Sequence, residues 1–216
     1  MDPLTQDDLM DLETYEKNRT QIRERVVRLK KRRRLEVGSR LSLVFENRDT
    51  VRFQIQEMLR IERVRDPRKI QEELEIYNTL LPPPRGWSAT LFIEVTDPAQ
   101  VPGVLGLLVG VENAVAIEAA RLDWASHSGG EQAEPAHKAV FPPALRVEGI
   151  AEAGRSKEEK TSSVHYLRFQ PQDPAQWEEA LGGTAPVWVV VDHPHYQARQ
   201  ELPPQLREEL LKDLRS

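Results

Sequence analysis

The chain contains no cysteine. That excludes disulfides, thiolate nucleophiles, iron–sulfur ligands and cysteine-based zinc sites. Long apolar runs are missing too. The strongest candidate, Val101–Val111, is short and holds three glycines, well below the roughly 20 residues that a membrane span needs. Residues 1–16 carry six acids and no lysine or arginine, the reverse of the basic start of a secretory leader. No membrane span is expected, and the expected location is cytoplasmic. The G-x-S-x-G elbow, H-E-x-x-H, the kinase set, the Rossmann fingerprint and the glycines of a phosphate-cradling loop are all absent.

What is present is a globular composition. The 216 residues are 39% apolar and 30% charged, enough for one large domain or two small ones. Net charge is −5, but unevenly spread. Residues 17–34 hold ten lysines or arginines against one acid, Glu24, so the rest of the chain is acidic.

Helical signals dominate the first third. Thr5, with Asp8 three residues on, forms a weak capping box. Ile22, Val26 and Leu29 give helical spacing over 14–34, in one helix or two. Leu41, Leu43 and Phe45 alternate with polar residues and predict a strand over 40–46. Asp49 and Thr50 offer caps for a helix lined by Val51, Ile55, Met58 and Leu59. Asp66-Pro67 opens another, faced by Ile70, Leu74, Tyr77 and Leu81. Tyr77 reads as core and Asn78 as a C-terminal cap, before Pro82-Pro83-Pro84 stops the helix.

The second half repeats an order of elements. TLFIEV (90–95), Asp97-Pro98-Ala99-Gln100, a helix, Gly110 and AVAIEA (114–119) match VHYLRF (164–169), Asp173-Pro174-Ala175-Gln176, a helix, Gly182-Gly183 and VWVVV (187–191). This predicts two βαβ-like units, with an extra strand at 145–151. The expected fold class is α+β: a helical N-terminal part, then a mostly antiparallel sheet compatible with a ferredoxin-like split. The expected organisation is a helix-rich part with one strand over 1–86, a sheet part over 87–200 with a mobile loop at 125–144, and a C-terminal helix over 201–216, in one integrated domain.

Four segments, Phe45–Glu62, Ile70–Pro82, Glu159–Phe169 and Val191–Tyr196, together with Thr5–Arg19, resemble the bacterial domain-of-unknown-function family 3501. The strings QIQEMLR and EKTSSVH carry most of the likeness, which spans nearly the whole chain apart from 125–144. The resemblance carries no established activity. It implies redox or oxidative-stress metabolism, and redox partners of rubrerythrin-like or iron–sulfur oxidoreductase type, by gene association.

Gln54, Glu57, Arg60 and Glu62 on the QIQEMLRIE helix lack the Glu-x-x-His of di-iron bundles and fit an i,i+3 ion pair of Glu57 with Arg60. Three further groups of residues could carry chemistry. His193 and His195 flank Pro194 after one strand, and i, i+2 residues share a face. His165 lies on the first strand of the same unit, and strands joined by a right-handed crossover can be neighbours. The three imidazoles could then hold a first-row transition metal, with Asp192 or Glu57 completing the set. The same residues also fit an Asp-His-Pro-His turn and a structural strand histidine. Lys160, Thr161, Ser162 and Ser163, with Arg168, offer anion donors, or equally hydroxyls that satisfy a strand entry. Arg28–Arg34 (RLKKRRR) fits phosphate contact, or a helix C-terminus whose dipole favours cations. It lacks interleaved aromatics for base stacking, so nucleic acid is the weaker reading.

These give three functional expectations. The first is a metal- or small-ligand-binding accessory protein of redox metabolism, with His165, His193 and His195 as ligands. The second is an enzyme with a polar pocket of Glu57, Lys160, Ser162, Ser163, His165 and Arg168, in which His165 is the acid–base group. The third is a non-catalytic interaction module that docks through its basic N-terminal helix.

Overall fold

The structure, a computed structural model, describes residues 2–120, 144–156 and 159–216. The segment expected as a loop, 125–144, lies outside the described residues except for Ala144. Thr5 and Asp8 initiate only a 3-10 turn over Gln6–Asp8. The first helix, α1 (Leu12–Arg32), is a single helix capped by Asp11, whose side chain accepts from the amides of Glu13 and Thr14. Lys30, Lys31 and Arg32 occupy its last turn, where cations offset the helix dipole.

Two short strands follow, β1 (Arg34–Val37) and β2 (Leu41–Phe45), joined by a turn in which Gly38 has φ of 69°. Helix α2 (Arg48–Ile61) is capped by Asn47, two residues ahead of the expected start, through an exchange with Thr50. Helix α3 (Pro67–Asn78) starts on Asp66 as expected. Asn78 is not a cap: its amide grips the Leu4 backbone in both directions, each bond 2.9 Å. Then come β3 (Trp87–Ile93), α4 (Val101–Leu107), β4 (Val115–Ala119), β5 (Leu145–Ala151), β6 (Val164–Phe169), α5 (Pro174–Gly182), β7 (Val187–His193), β8 (Tyr196–Glu201) and α6 (Pro204–Arg215).

The strands form one antiparallel sheet of eight, ordered β1-β2-β3-β6-β5-β4-β7-β8. This corrects the ferredoxin-like split. That arrangement needs parallel strands within each βαβ unit. Here β3 pairs with β6 and β4 with β7, while β5 lies between β6 and β4. Three antiparallel steps separate β3 from β4, and three separate β6 from β7. Both units therefore join strands of opposite direction.

The two edges approach each other, and the sheet nearly closes into a barrel. Tyr196 at the start of β8 donates its hydroxyl to the Val37 carbonyl at 2.6 Å and accepts from the Arg40 amide at 3.1 Å. The interior is apolar, built around Leu43, Phe45, Trp87, Leu91, Ile117 and Phe169. Helix α6 adds Leu206, Leu210 and Leu214 to this core, and its Leu210 carbonyl accepts from the Trp87 indole at 2.9 Å. A second cluster, including Leu4, Val51, Ile55, Leu59, Leu74 and Leu80, packs the N-terminal helices beside Tyr166.

Candidate functional site

Strand periodicity puts polar side chains on the outer barrel wall beside α3. The Glu46 amide donates to the Ser88 carbonyl at 2.9 Å. Ser88 lies opposite Arg168, and Arg168 opposite Ile150. One row on, Thr90 lies opposite Val44 and Tyr166, and the Glu152 amide donates to the Tyr166 carbonyl at 3.0 Å. Alternate residues of a strand share a face, so both rows look outward. The inward neighbours Phe45, Ala89 and Leu167 belong to the barrel core.

Between these rows and the end of α3 is a cavity of about 330 Å³, lined by Glu46, Leu80, Ser88, Ile150, Tyr166 and Arg168 among others. That is at the lower end of ligand pockets, roughly 300–1,000 Å³. Glu46 forms its most buried charge, at 2% exposure. One carboxylate oxygen, Oε1, accepts from the Thr90 hydroxyl at 2.7 Å. The other, Oε2, is buried and has no hydrogen-bond partner among the described residues. Buried polar atoms are normally satisfied, so such an oxygen calls for a donor from outside the protein, water or ligand.

The remaining polar groups are engaged. The Ser88 hydroxyl donates to the Leu80 carbonyl at 2.6 Å. Arg168 turns Nε and Nη2 onto the carbonyl of Thr79, the residue that ends α3. Arg155 pairs with Glu152 at 2.7 Å and lies over the Tyr166 ring, 4.3 Å from its centroid.

The three histidines expected to share a metal are held differently. β6, which carries His165, and β7, which ends at His193, are separated in the sheet by β5 and β4. The crossover does not make them neighbours, because β5 and β4 fill the places between them. His193 uses both ring nitrogens: Nε2 lies 3.0 Å from the Val109 carbonyl, and Nδ1 accepts from the His195 amide at 3.3 Å. A carbonyl only accepts, so Nε2 carries the proton and Nδ1 is spent. His195 is exposed. Asp192 accepts from Gln197 at 3.0 Å. Among the described residues no group of three or more histidine, aspartate or glutamate side chains is placed to hold a metal ion.

His165 is fully buried. Its Nε2 lies 2.9 Å from the Ser162 carbonyl and 2.8 Å from the Thr161 hydroxyl. Ser156 joins Thr161 to the carboxylate of Glu112. Burial holds the His165 imidazole below its usual pKa, against the opposing pull of Glu112, which favours the neutral ring.

Lys160 and Ser163 are exposed. The Ser162 hydroxyl accepts from the Val164 amide at 3.1 Å, the local backbone bond of a strand entry.

Glu57 stands apart from all of these. It accepts two bonds from Arg19, at 2.8 and 2.9 Å, one from the Tyr15 hydroxyl at 2.7 Å and one from Arg60 at 3.4 Å. The Arg19 bond leads in holding its carboxyl down to about 2. Burial pushes the Tyr15 phenol up. The group staples α1 to α2. Of the six residues expected to build a catalytic pocket, Arg168 alone lines the Glu46 cavity.

Three of the six cations of the basic run, Arg32, Arg33 and Arg34, are committed within the fold. Arg33, fully buried, donates to the Phe45 and Glu46 carbonyls at 2.8 and 3.1 Å and pairs with Glu209 and Asp213 of α6. Arg32 also pairs with Glu209, at 2.8 Å, and Arg34 pairs with Glu94.

The fold and the cavity define an α+β protein built on an eight-stranded antiparallel barrel, with a helical layer against its outer wall. By sequence, a family model described as "Protein of unknown function (DUF3501)" matches residues 3–138 and 136–214. The chain belongs to that family. It is similar to a crystal structure of a novel protein of unknown function from Burkholderia pseudomallei K96243, with 35% identity and a TM-score of 0.80 over 98% of this chain and 99% of that one. No curated protein matches the chain. Among the described residues no helix is long and apolar enough to cross a membrane.

Proposed function

We propose that this chain binds a small organic molecule in the cavity between α3 and the outer wall of the barrel. The observation that carries the reading is Glu46, which lines a cavity of about 330 Å³ and whose buried Oε2 has no partner among the described residues. Binding sites combine apolar walls with a few placed polar groups. Here Leu80, Ile150 and the Tyr166 ring supply the walls, and Glu46 the polar group. An organic ligand is preferred to a metal because the histidines expected as ligands are committed or dispersed. The redox setting and its partners rest on the resemblance alone.

The test is a screen of small organic molecules by thermal shift, followed by amide NMR of the hits. The expected hit raises Tm and moves resonances of residues 88–90 and 166–168. Its effect disappears in Ile150→Trp, which fills the cavity from a position 65% exposed. Hits indifferent to Ile150→Trp, or a screen without hits, would overturn the proposal.

A further inference from the structure

Resting on that reading, we infer that the ligand is a small organic cation, a protonated amine or guanidine on an apolar body, whose N–H group pairs with Glu46. The inference comes from matching every charge around the cavity. Glu152 is neutralised by Arg155 at 2.7 Å. Arg168 directs its guanidinium at the Thr79 carbonyl, where the C-terminal end of α3 is negative. Arg33 reaches the Glu46 backbone carbonyl at 3.1 Å, but its charge is matched by Glu209 and Asp213. That leaves the Glu46 carboxylate as the lining anion without a cation, while Arg168 is held by a carbonyl rather than by an acid.

Three neighbouring hydroxyls are committed as well. The Thr79 hydroxyl donates to the Ile76 carbonyl at 2.6 Å, Ser88 donates to Leu80, and Thr90 already serves Oε1. A buried carboxylate is retained when it is paired and hydrogen-bonded. A neutral guest would satisfy Oε2 but leave the charge. An anion would add to it. A charged N–H donor does both, through a charge-assisted bond. Leu80, Ile150 and the Tyr166 ring then enclose the apolar remainder.

Three probes of one shape separate the cases: 2-phenylethylamine, 2-phenylethanol and 3-phenylpropionate, titrated by amide NMR at pH 7. The amine is expected to bind at least tenfold more tightly than either of the others and to move resonances of residues 88–90 and 166–168. Glu46→Gln, with its Tm measured as a folding control, should bring the amine to the level of the alcohol. Two outcomes would overturn the cation while leaving a small-molecule site: equal binding of the alcohol, or an amine that binds Glu46→Gln undiminished. Silence from all three probes at millimolar concentration would count against both the cation and the cavity as a binding site.

Discussion

The hydroxyl of Tyr196 stands directly over Gly38, so close that a Cβ there would meet it at 2.4 Å. Gly38 also has φ of 69°, a region where only glycine is free of strain. Packing and backbone thus demand the same residue at the seam where β8 meets the β1–β2 turn. Gly38→Ala is expected to destabilise the protein by about 1–3 kcal/mol. Tyr196→Phe, which loses the bonds to Val37 and Arg40, should cost about 1–2 kcal/mol. Urea unfolding of each variant measures both, and an unchanged midpoint for Gly38→Ala would show that the seam is not strained.

Arg33→Met leaves Asp213 buried without its cation, while Glu209 keeps Arg32 and Lys212. A loss of about 3–5 kcal/mol is expected, as for other broken buried pairs. Lys31→Met, two residues earlier on the same run, should stay within about 0.5 kcal/mol. Guanidinium denaturation of the two variants distinguishes a structural role for Arg33 from a generic effect of basic charge.

Two carboxylates give opposite pH dependences. Glu57 is held down from 4.5 to about 2, so its contribution is present above pH 4.5 and lost as pH falls toward 2. It amounts to about 3 kcal/mol at most. Burial raises Asp213 from 3.8 to about 6 against the pull of Arg33. Folding therefore favours its protonated form, and that contribution is lost as pH rises from 3.8 through 6. Glu57→Gln should flatten the acid limb of a stability–pH curve. Asp213→Asn should remove the decline between pH 4 and 6. Curves parallel to wild type would contradict both assignments.

His193 is expected to act through hydrogen bonds rather than as a ligand. Replacing it with alanine frees the half-buried Val109 carbonyl and should lower stability by about 1 kcal/mol. Calorimetric titration of the wild type with zinc should show no stoichiometric site. A stoichiometric site lost in His193→Ala would restore the metal reading.

Local signals were legible where they were self-contained. Asp66-Pro67 fixed the start of α3, and Leu41, Leu43 and Phe45 marked β2. β1 and β8 were not legible. RLEV follows a helix directly with two apolar residues, and YQARQE is a polar edge. The repeated strand–helix–strand order was real, but direction is not written in it. The insertion of β5 decides that the units run antiparallel, and this separates His165 from His193. Glu46 was missed because it closes an apolar run and its hydroxyl partner Thr90 lies on β3, 44 positions away. One usable signal was present: Ser88, Thr90, Tyr166 and Arg168 alternate with apolar residues, which marks a polar outer face on strands that a helix layer covers. Arg33 looked like one cation among ten, since its partners lie 176 and 180 positions away.

That separation bears on how the chain reaches its native state during synthesis. Arg33 emerges from the ribosome with the first helix, and its acidic partners follow 176 and 180 residues later. Until α6 arrives, a guanidinium destined for full burial has nothing to neutralise it, and Trp87 lacks the carbonyl that receives its indole. The nascent molecule therefore cannot finish its core vectorially, and final consolidation waits for synthesis of α6. Loss of α6 would leave an incompletely folded chain for quality control to remove, rather than a shortened but native protein.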